Sequence, residues 1–137
     1  MSEIIIDTGP IVALLNKRDE FHAWARDTLD GLAPPLLTCE PVLAEASYIV
    51  RRLEGGPAAV LDLVTRGVLE LPFRVESELL SLRTLIMKYA SVPMSLADAC
   101  LVRMAEMRPR AAILTLDSDF GIYRRSGRHV LRLIRPS

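Results

Sequence analysis

The sequence predicts an α/β fold, in which helices cover a mainly parallel β-sheet. Short runs rich in Ile, Val and Leu alternate along the chain with longer segments of helical periodicity, which is the order that a parallel sheet requires. Of the 137 residues, 50% are apolar and 25% are charged, a balance typical of folded proteins. We see no linker, internal repeat or low-complexity tract, so residues 1–137 are predicted to form one domain.

The first half of the chain begins with a strand and a short helix. The β-branched run Ile4-Ile5-Ile6 predicts a buried strand that ends at Asp7. Pro10 suits the first turn of a helix, which we expect over residues 10–15. The next predicted elements are a helix capped by Asp19, a strand over residues 36–39, a helix over 41–53, a helix from Gly56-Pro57 to about Arg66, and a short strand over 68–71.

The second half continues the alternation. Its helical periodicity predicts a long helix over residues 75–90 and another from Ser95 to the residue before Pro109. Residues 111–116 are predicted to form a strand, followed by a turn over residues 117–120. The last predicted strand spans residues 130–134, and both histidines, His22 and His129, are interpreted as structural because neither follows a strand.

Charge is balanced overall, with 17 basic and 17 acidic residues, but it is unevenly distributed. Residues 108–137 contain seven arginines and only two acids, a net charge of +5. A basic segment beside acids suits a polyanionic ligand, although a solvated basic surface is an equal alternative. Within it, Arg124, Arg125 and Arg128 are candidates for contacts with the phosphates of such a ligand.

Cysteine usage and hydropathy indicate a cytoplasmic protein. Cys39 and Cys100 lie in apolar surroundings, which predicts two buried free thiols in a reducing compartment. No apolar run approaches the ~18 residues of a membrane span. The N-terminal Met-Ser-Glu-Ile lacks the basic region of a signal peptide. We therefore expect no membrane contact.

Four acids occupy positions that a parallel sheet would bring together. Asp7 follows the first strand, Asp117 follows the strand over 111–116, Glu45 lies about one turn into the helix after the second strand, and Asp98 lies in the first turn of a helix. Ligands bind at the carboxyl ends of parallel strands, so these acids are expected at one edge. Ligation by oxygen alone suits Mg²⁺ or Mn²⁺, and such ions polarise phosphodiesters and activate water. This pattern predicts a metal-dependent nuclease.

Each acid also has a purely structural interpretation, and the spacing alone leaves both open. Asp7 could end its strand in a turn, and Glu45 could be a solvated helix acid. The sequence Ser95-Leu96-Ala97-Asp98 fits a capping box, and Asp117-Ser118-Asp119 fits an ordinary turn.

The chain resembles the PIN-domain family, and within it the small ribonuclease toxins of bacterial and archaeal toxin–antitoxin pairs. The resemblance covers nearly the whole chain and depends on the order and spacing of four segments: Ile4-Ile5-Ile6-Asp7-Thr8-Gly9-Pro10, Glu45, Ser95-Leu96-Ala97-Asp98-Ala99 and Leu114-Thr115-Leu116-Asp117-Ser118-Asp119-Phe120. It implies a three-layer α/β/α sandwich with a five-stranded parallel sheet, and cleavage of RNA that depends on Mg²⁺ or Mn²⁺.

The resemblance also assigns roles by position. Asp7, Glu45, Asp98 and Asp117 match the four acids of the family site, as catalytic residues and metal ligands. Asp119 matches a frequent extra acid of less certain role, and hydroxyls that often support the site are matched by Thr8 and Thr115. The expected partners are the RNA substrate, a cognate antitoxin that covers the acids, and a second copy in a homodimer. The alternative is a catalytically silent PIN-fold module that binds RNA or protein.

Overall fold

The computed structural model describes residues 3–137, so Met1 and Ser2 of the predicted domain lie outside the described residues. Its helices are α1 (Thr8–Leu15), α2 (His22–Asp30), α3 (Glu40–Ile49), α4 (Gly56–Thr65), α5 (Leu79–Lys88) and α6 (Leu96–Met107). Its strands are β1 (Ile4–Ile6), β2 (Leu36–Leu37), β3 (Leu69–Glu70), β4 (Ala112–Leu114), β5 (Arg124–Arg125), β6 (His129–Val130) and β7 (Leu133–Ile134). Two 3₁₀ turns span Val75–Glu78 and Ser118–Gly121.

Five strands form one sheet in the order β3-β2-β1-β4-β7, and every pairing in it is parallel. The central strand β1 pairs with β4 over three residues, from Ile4 with Ala112 to Ile6 with Leu114. Ile5 and Ile6 point to opposite faces of the sheet, and both are buried. Helices therefore cover both faces, which confirms the predicted α/β fold with a parallel sheet.

The last predicted strand, over residues 130–134, is wrong as a single element. His129 and Val130 form β6, which pairs antiparallel with β5 in a separate hairpin. Only Leu133 and Ile134 join the main sheet, beside β4. The division follows burial, because Leu131 packs into the core while β6 stays exposed.

Several predicted helices differ in their limits, and the one expected over residues 10–15 begins two residues earlier, at Thr8. The predicted helix over residues 41–53 begins at Glu40 and already ends at Ile49. Turns follow up to Gly55, whose φ is +66°. The predicted helix over 75–90 begins as a 3₁₀ turn and becomes α-helical only at Leu79. Asp19 does not cap α2 directly; its carboxylate instead accepts a hydrogen bond from the Phe21 amide, before the helix.

The two cysteines are free and buried, as predicted. Cys39 immediately precedes α3 and Cys100 lies in α6, so their contact joins two helices in the core. A hydrogen bond with Cys100, together with burial, raises the pKa of the Cys39 thiol. Within residues 3–137, no helix is both long and apolar enough to span a bilayer.

Candidate active site

A cleft of about 590 Å³ opens where β1 and β4 end, and all four predicted acids line it: Asp7, Glu45, Asp98 and Asp117. Asp19 and Glu20 also line the cleft, so six of its twelve lining residues are acids. None of these twelve residues is Lys, Arg or His. The cleft therefore concentrates negative charge that its own lining does not neutralise.

Asp7 is the most buried of the four acids, with 6% of its surface exposed. The Thr8 amide donates to its Oδ1 over 2.7 Å, and the Thr115 hydroxyl donates to its Oδ2 over 2.8 Å. Burial, together with smaller repulsion from the carboxylates of Asp98 and Asp117, raises the pKa of Asp7 to about 6 against the opposing effect of these two hydrogen bonds. A carboxylate held in this way favours a cation beside it.

Thr115 reaches Asp7 because of the sheet register. Since Ile6 pairs with Leu114, the next residues along β1 and β4 are neighbours, and the Asp7 amide donates to the Leu114 carbonyl over 3.0 Å. The Thr115 oxygen also accepts a hydrogen bond from the Asp117 amide over 2.9 Å. This one buried hydroxyl thus connects two of the acids.

Asp98 lies in the first turn of α6, where its amide donates to the Ser95 hydroxyl over 3.0 Å. Its carboxylate accepts a hydrogen bond from the Tyr123 hydroxyl over 2.8 Å and lines the cleft. Burial raises the pKa of Asp98, opposed by the Tyr123 hydrogen bond, and the Asp117 charge raises it further. Helix capping and a place in the cleft are therefore compatible for this residue, not alternatives.

Asp117 and Glu45 are held very differently. Asp117 caps the following 3₁₀ turn, because its Oδ1 accepts from the Asp119 amide over 2.9 Å. Glu45 is exposed on α3, and no hydrogen bond to its carboxylate is found among residues 3–137. Ile49, one turn later on the same helix, also lines the cleft, so this face of α3 forms one of its walls.

The supporting residues that the sequence predicts divide into two groups. Thr8 lines the cleft, and its buried hydroxyl has no hydrogen-bond partner in the described part of the chain. Asp119 does not line the cleft; its amide and carbonyl instead stabilise the 3₁₀ turn. Tyr123 was missed, and its only signal in the sequence is an aromatic side chain three residues after Phe120.

The three candidate phosphate contacts all lie outside the cleft lining. Arg124 donates from Nη1 to the carbonyls of Gly121, Ile122 and Tyr123, so it caps the end of the 3₁₀ segment. Arg125 is half-buried in β5, and Arg128 is exposed in the turn between β5 and β6. Only Arg128 presents an exposed side chain to solvent.

The chemistry of the cleft fits a divalent cation. As the side chains stand, no three His, Cys, Asp or Glu residues within 3–137 converge closely enough to enclose a metal ion. The donors nevertheless match Mg²⁺ or Mn²⁺, because they are carboxylates without a neutralising base. The partnerless Thr8 hydroxyl beside them is a further oxygen donor.

The fold and this acidic cleft define the class of protein. The sequence profile of the PIN domain matches residues 4–125, a span that includes all four acids. The chain therefore belongs to the PIN-domain family, as its motifs predict.

Two proteins of Mycobacterium tuberculosis are similar to this chain. Ribonuclease VapC26 is 31% identical over 116 residues, which cover 83% of this chain and 86% of that protein. The crystal structure of VapC20, described as a toxin that cleaves the sarcin–ricin loop, superposes with a TM-score of 0.72. It shares 21% identity over 88% of this chain and 94% of VapC20, so this likeness supports the fold.

Proposed function

We propose that this protein is an endoribonuclease that depends on Mg²⁺ or Mn²⁺ and acts in the cytoplasm as the toxin of a toxin–antitoxin pair. The observation that carries the proposal is the charge of the cleft, where six acids meet no basic lining residue. Membership of the PIN-domain family and similarity to ribonuclease VapC26 support RNA as the substrate.

In this proposal, Asp7 and Asp117 hold the metal from the strand ends, Asp98 holds it from the first turn of α6, and Glu45 completes the site from α3. When bound, Mg²⁺ or Mn²⁺ neutralises the acids and polarises the scissile phosphodiester. Asp7 contributes a carboxylate that Thr8 and Thr115 already orient. Glu45 is free to rotate inwards, because it is exposed and forms no hydrogen bond within residues 3–137.

The proposed partners follow from the same family resemblance. An antitoxin would block RNA by covering the acidic cleft, and a basic or polar segment suits that surface because the cleft is acidic. A homodimer is the proposed assembly.

The proposal is tested by incubating the purified protein with a broad panel of RNAs in Mg²⁺ or Mn²⁺, with and without EDTA. We expect cleavage that EDTA abolishes. Asp98→Asn should remove cleavage but preserve the fold, because asparagine still accepts the Tyr123 hydrogen bond. Asp62→Asn is the matched control, since Asp62 is an exposed acid on α4 away from the cleft.

Two results would contradict the proposal. One is RNA binding without cleavage at any metal concentration, which would favour the catalytically silent binding module. The other is cleavage by Asp98→Asn at the wild-type rate.

A further inference from the structure

A buried tyrosine connects the segments that carry two different acids. Tyr123 is fully buried, and it follows the 3₁₀ turn that Asp117 caps. Its hydroxyl donates to Asp98 Oδ2 over 2.8 Å, although 25 residues separate the two along the chain. The segment that contains Asp117 therefore also contacts the carboxylate of Asp98.

The position of the hydroxyl is determined by packing on both sides of the ring. The Tyr123 ring packs edge-on against Tyr89 at 5.1 Å and against Phe120 at 5.3 Å between centroids. The neighbouring backbone is held too, since the Arg124 amide donates to the Tyr89 hydroxyl over 2.8 Å. A donor fixed in this way orients its acceptor rather than following it.

The hydrogen bond also leaves Asp98 able to bind a ligand. Oδ2 accepts from Tyr123, which fixes the orientation of the carboxylate, while both oxygens keep lone pairs for a ligand in the cleft. Residues that hydrogen-bond to metal ligands commonly set ligand orientation and thereby metal affinity. Thr115 has the same relation to Asp7, so each of these two acids is oriented by a hydroxyl from a distant part of the chain.

We propose that Tyr123 is a positioning residue of the metal site, whose hydroxyl fixes the Asp98 carboxylate and keeps it in register with Asp117. The inference rests on the proposed function, because it assumes that Asp98 holds a metal ion. Nothing in the residue pattern around position 123 predicts this role.

The test measures Mn²⁺ binding to the full-length protein without RNA, by the electron paramagnetic resonance signal of free Mn²⁺. Tyr123→Phe removes only the hydroxyl, and we expect it to weaken Mn²⁺ binding about tenfold. Tyr89→Phe is the matched control: it also removes a hydrogen-bonding hydroxyl from the same aromatic cluster, but one that contacts no acid. It should leave Mn²⁺ affinity unchanged.

Two further measurements separate positioning from damage to the fold. Melting temperatures should fall by similar amounts in both variants, and binding is measured well below the lower of them. Excess Mn²⁺ should restore RNA cleavage to Tyr123→Phe. Equal Mn²⁺ affinity in Tyr123→Phe and Tyr89→Phe would overturn the inference, whether both match the wild type or both are weakened.

Asp98→Asn distinguishes failure of this inference from failure of the proposed function. If Asp98→Asn abolishes Mn²⁺ binding but Tyr123→Phe does not weaken it, the metal site stands and the role of Tyr123 is wrong. If the wild type and Asp98→Asn bind Mn²⁺ equally, or neither binds it, the metal site itself fails and the inference fails with it.

Discussion

The two walls of the acidic cleft hold their carboxylates in opposite ways. On the sheet wall, Asp7 and Asp117 follow strands and Asp98 lies beside them in the first turn of α6; each is at least half-buried and accepts a hydrogen bond. On the helix wall, Glu45 of α3 and Glu20, in the turn before α2, are exposed, and neither carboxylate accepts a hydrogen bond among residues 3–137. Their neighbour Asp19 differs from both, since it is half-buried and accepts from the Phe21 amide. The sheet wall is therefore preorganised, whereas the helix wall can adjust to a ligand.

Two acids of the sheet wall carry an electrostatic cost. Burial and mutual repulsion disfavour the charged forms of Asp7 and Asp98, whose pKa values are both raised. In a protein without bound metal this charge is destabilising, and a cation would relieve it. Substitutions on the two walls should therefore affect stability and activity in different proportions.

The largest expected effect is on stability, at Asp7. Its pKa rises from 3.8 in the ordinary carboxyl group to about 6 in the fold, so the folded state retains a proton that the unfolded chain loses. The resulting stability is fully present below about pH 4 and is lost as the pH rises through about 6. In EDTA at about pH 8, the pH-dependent part of the stability difference should therefore favour Asp7→Asn over the wild type by roughly 3 kcal/mol.

Urea denaturation across this pH range measures the free energy of unfolding of both proteins. The pH-dependent part of the difference between them should vanish near about pH 4. A gap between Asp7→Asn and the wild type that does not change with pH would show that Asp7 carries no destabilising charge in the fold.

The next effect concerns the hydroxyl that joins two acids of the sheet wall. Thr115→Val leaves Asp7 Oδ2 and the Asp117 amide without their partner, so we expect a loss of roughly 1–3 kcal/mol of stability. Cleavage should also fall about tenfold, because Asp7 is no longer oriented.

Thr38→Val is the control for Thr115→Val. Thr38 is equally buried and its hydroxyl donates to the Ile6 carbonyl over 2.9 Å, but that hydroxyl forms no hydrogen bond with a carboxylate within residues 3–137. It should lose stability and keep its activity per folded molecule. If both valine variants lose activity alike, the Thr115 hydroxyl has no special relation to the site.

On the helix wall the expected pattern is reversed. Glu45→Gln should weaken metal binding and thereby lower cleavage about tenfold. It should leave the melting temperature unchanged, because the side chain is exposed. Glu40→Gln, an exposed acid on the same helix outside the cleft lining, should change neither quantity. A drop in melting temperature in Glu45→Gln alone would mean that the helix wall is as rigid as the sheet wall.

The smallest expected effects separate two arginines outside the cleft. Arg124→Gln removes a cap from three carbonyls and should lower stability by about 1 kcal/mol. Arg128→Gln should leave stability unchanged and reduce the slope of RNA affinity against salt by about 1. Salt titrations of RNA binding by both variants test these two roles. An unchanged slope in Arg128→Gln would show that Arg128 contacts no RNA phosphate.

The sheet wall could be predicted from the sequence because strand order and one helix cap determine it. Asp7 and Asp117 each follow an apolar strand, and parallel pairing brings such positions to one edge. Asp98 could be placed by its capping motif. The order of acids along the chain then indicated the family.

Contacts that depend on packing between distant segments could not be predicted. The sequence does not show which acid the Tyr123 hydroxyl meets. The Arg124 side chain donates back to the carbonyls of the three residues before it, which the sequence does not show either. The hairpin of β5 and β6 was missed for a different reason, because two strands of two residues each have no periodicity of their own. Its turn at Ser126 and Gly127 has positive φ values of 50° and 88°. Serine rarely adopts a positive φ, so the residue at position 126 does not indicate this turn in the sequence.

The most direct test of a metal site on the sheet wall compares two acids of the same turn. Asp117 lines the cleft and Asp119 does not, although they are two residues apart. Asparagine at position 117 can still accept the Asp119 amide, so both variants should fold. In an RNA cleavage assay with Mn²⁺, Asp117→Asn should lose nearly all activity and Asp119→Asn should retain most of it. Equal activity in the two variants, whether both lose or both retain it, would contradict the assignment of the site.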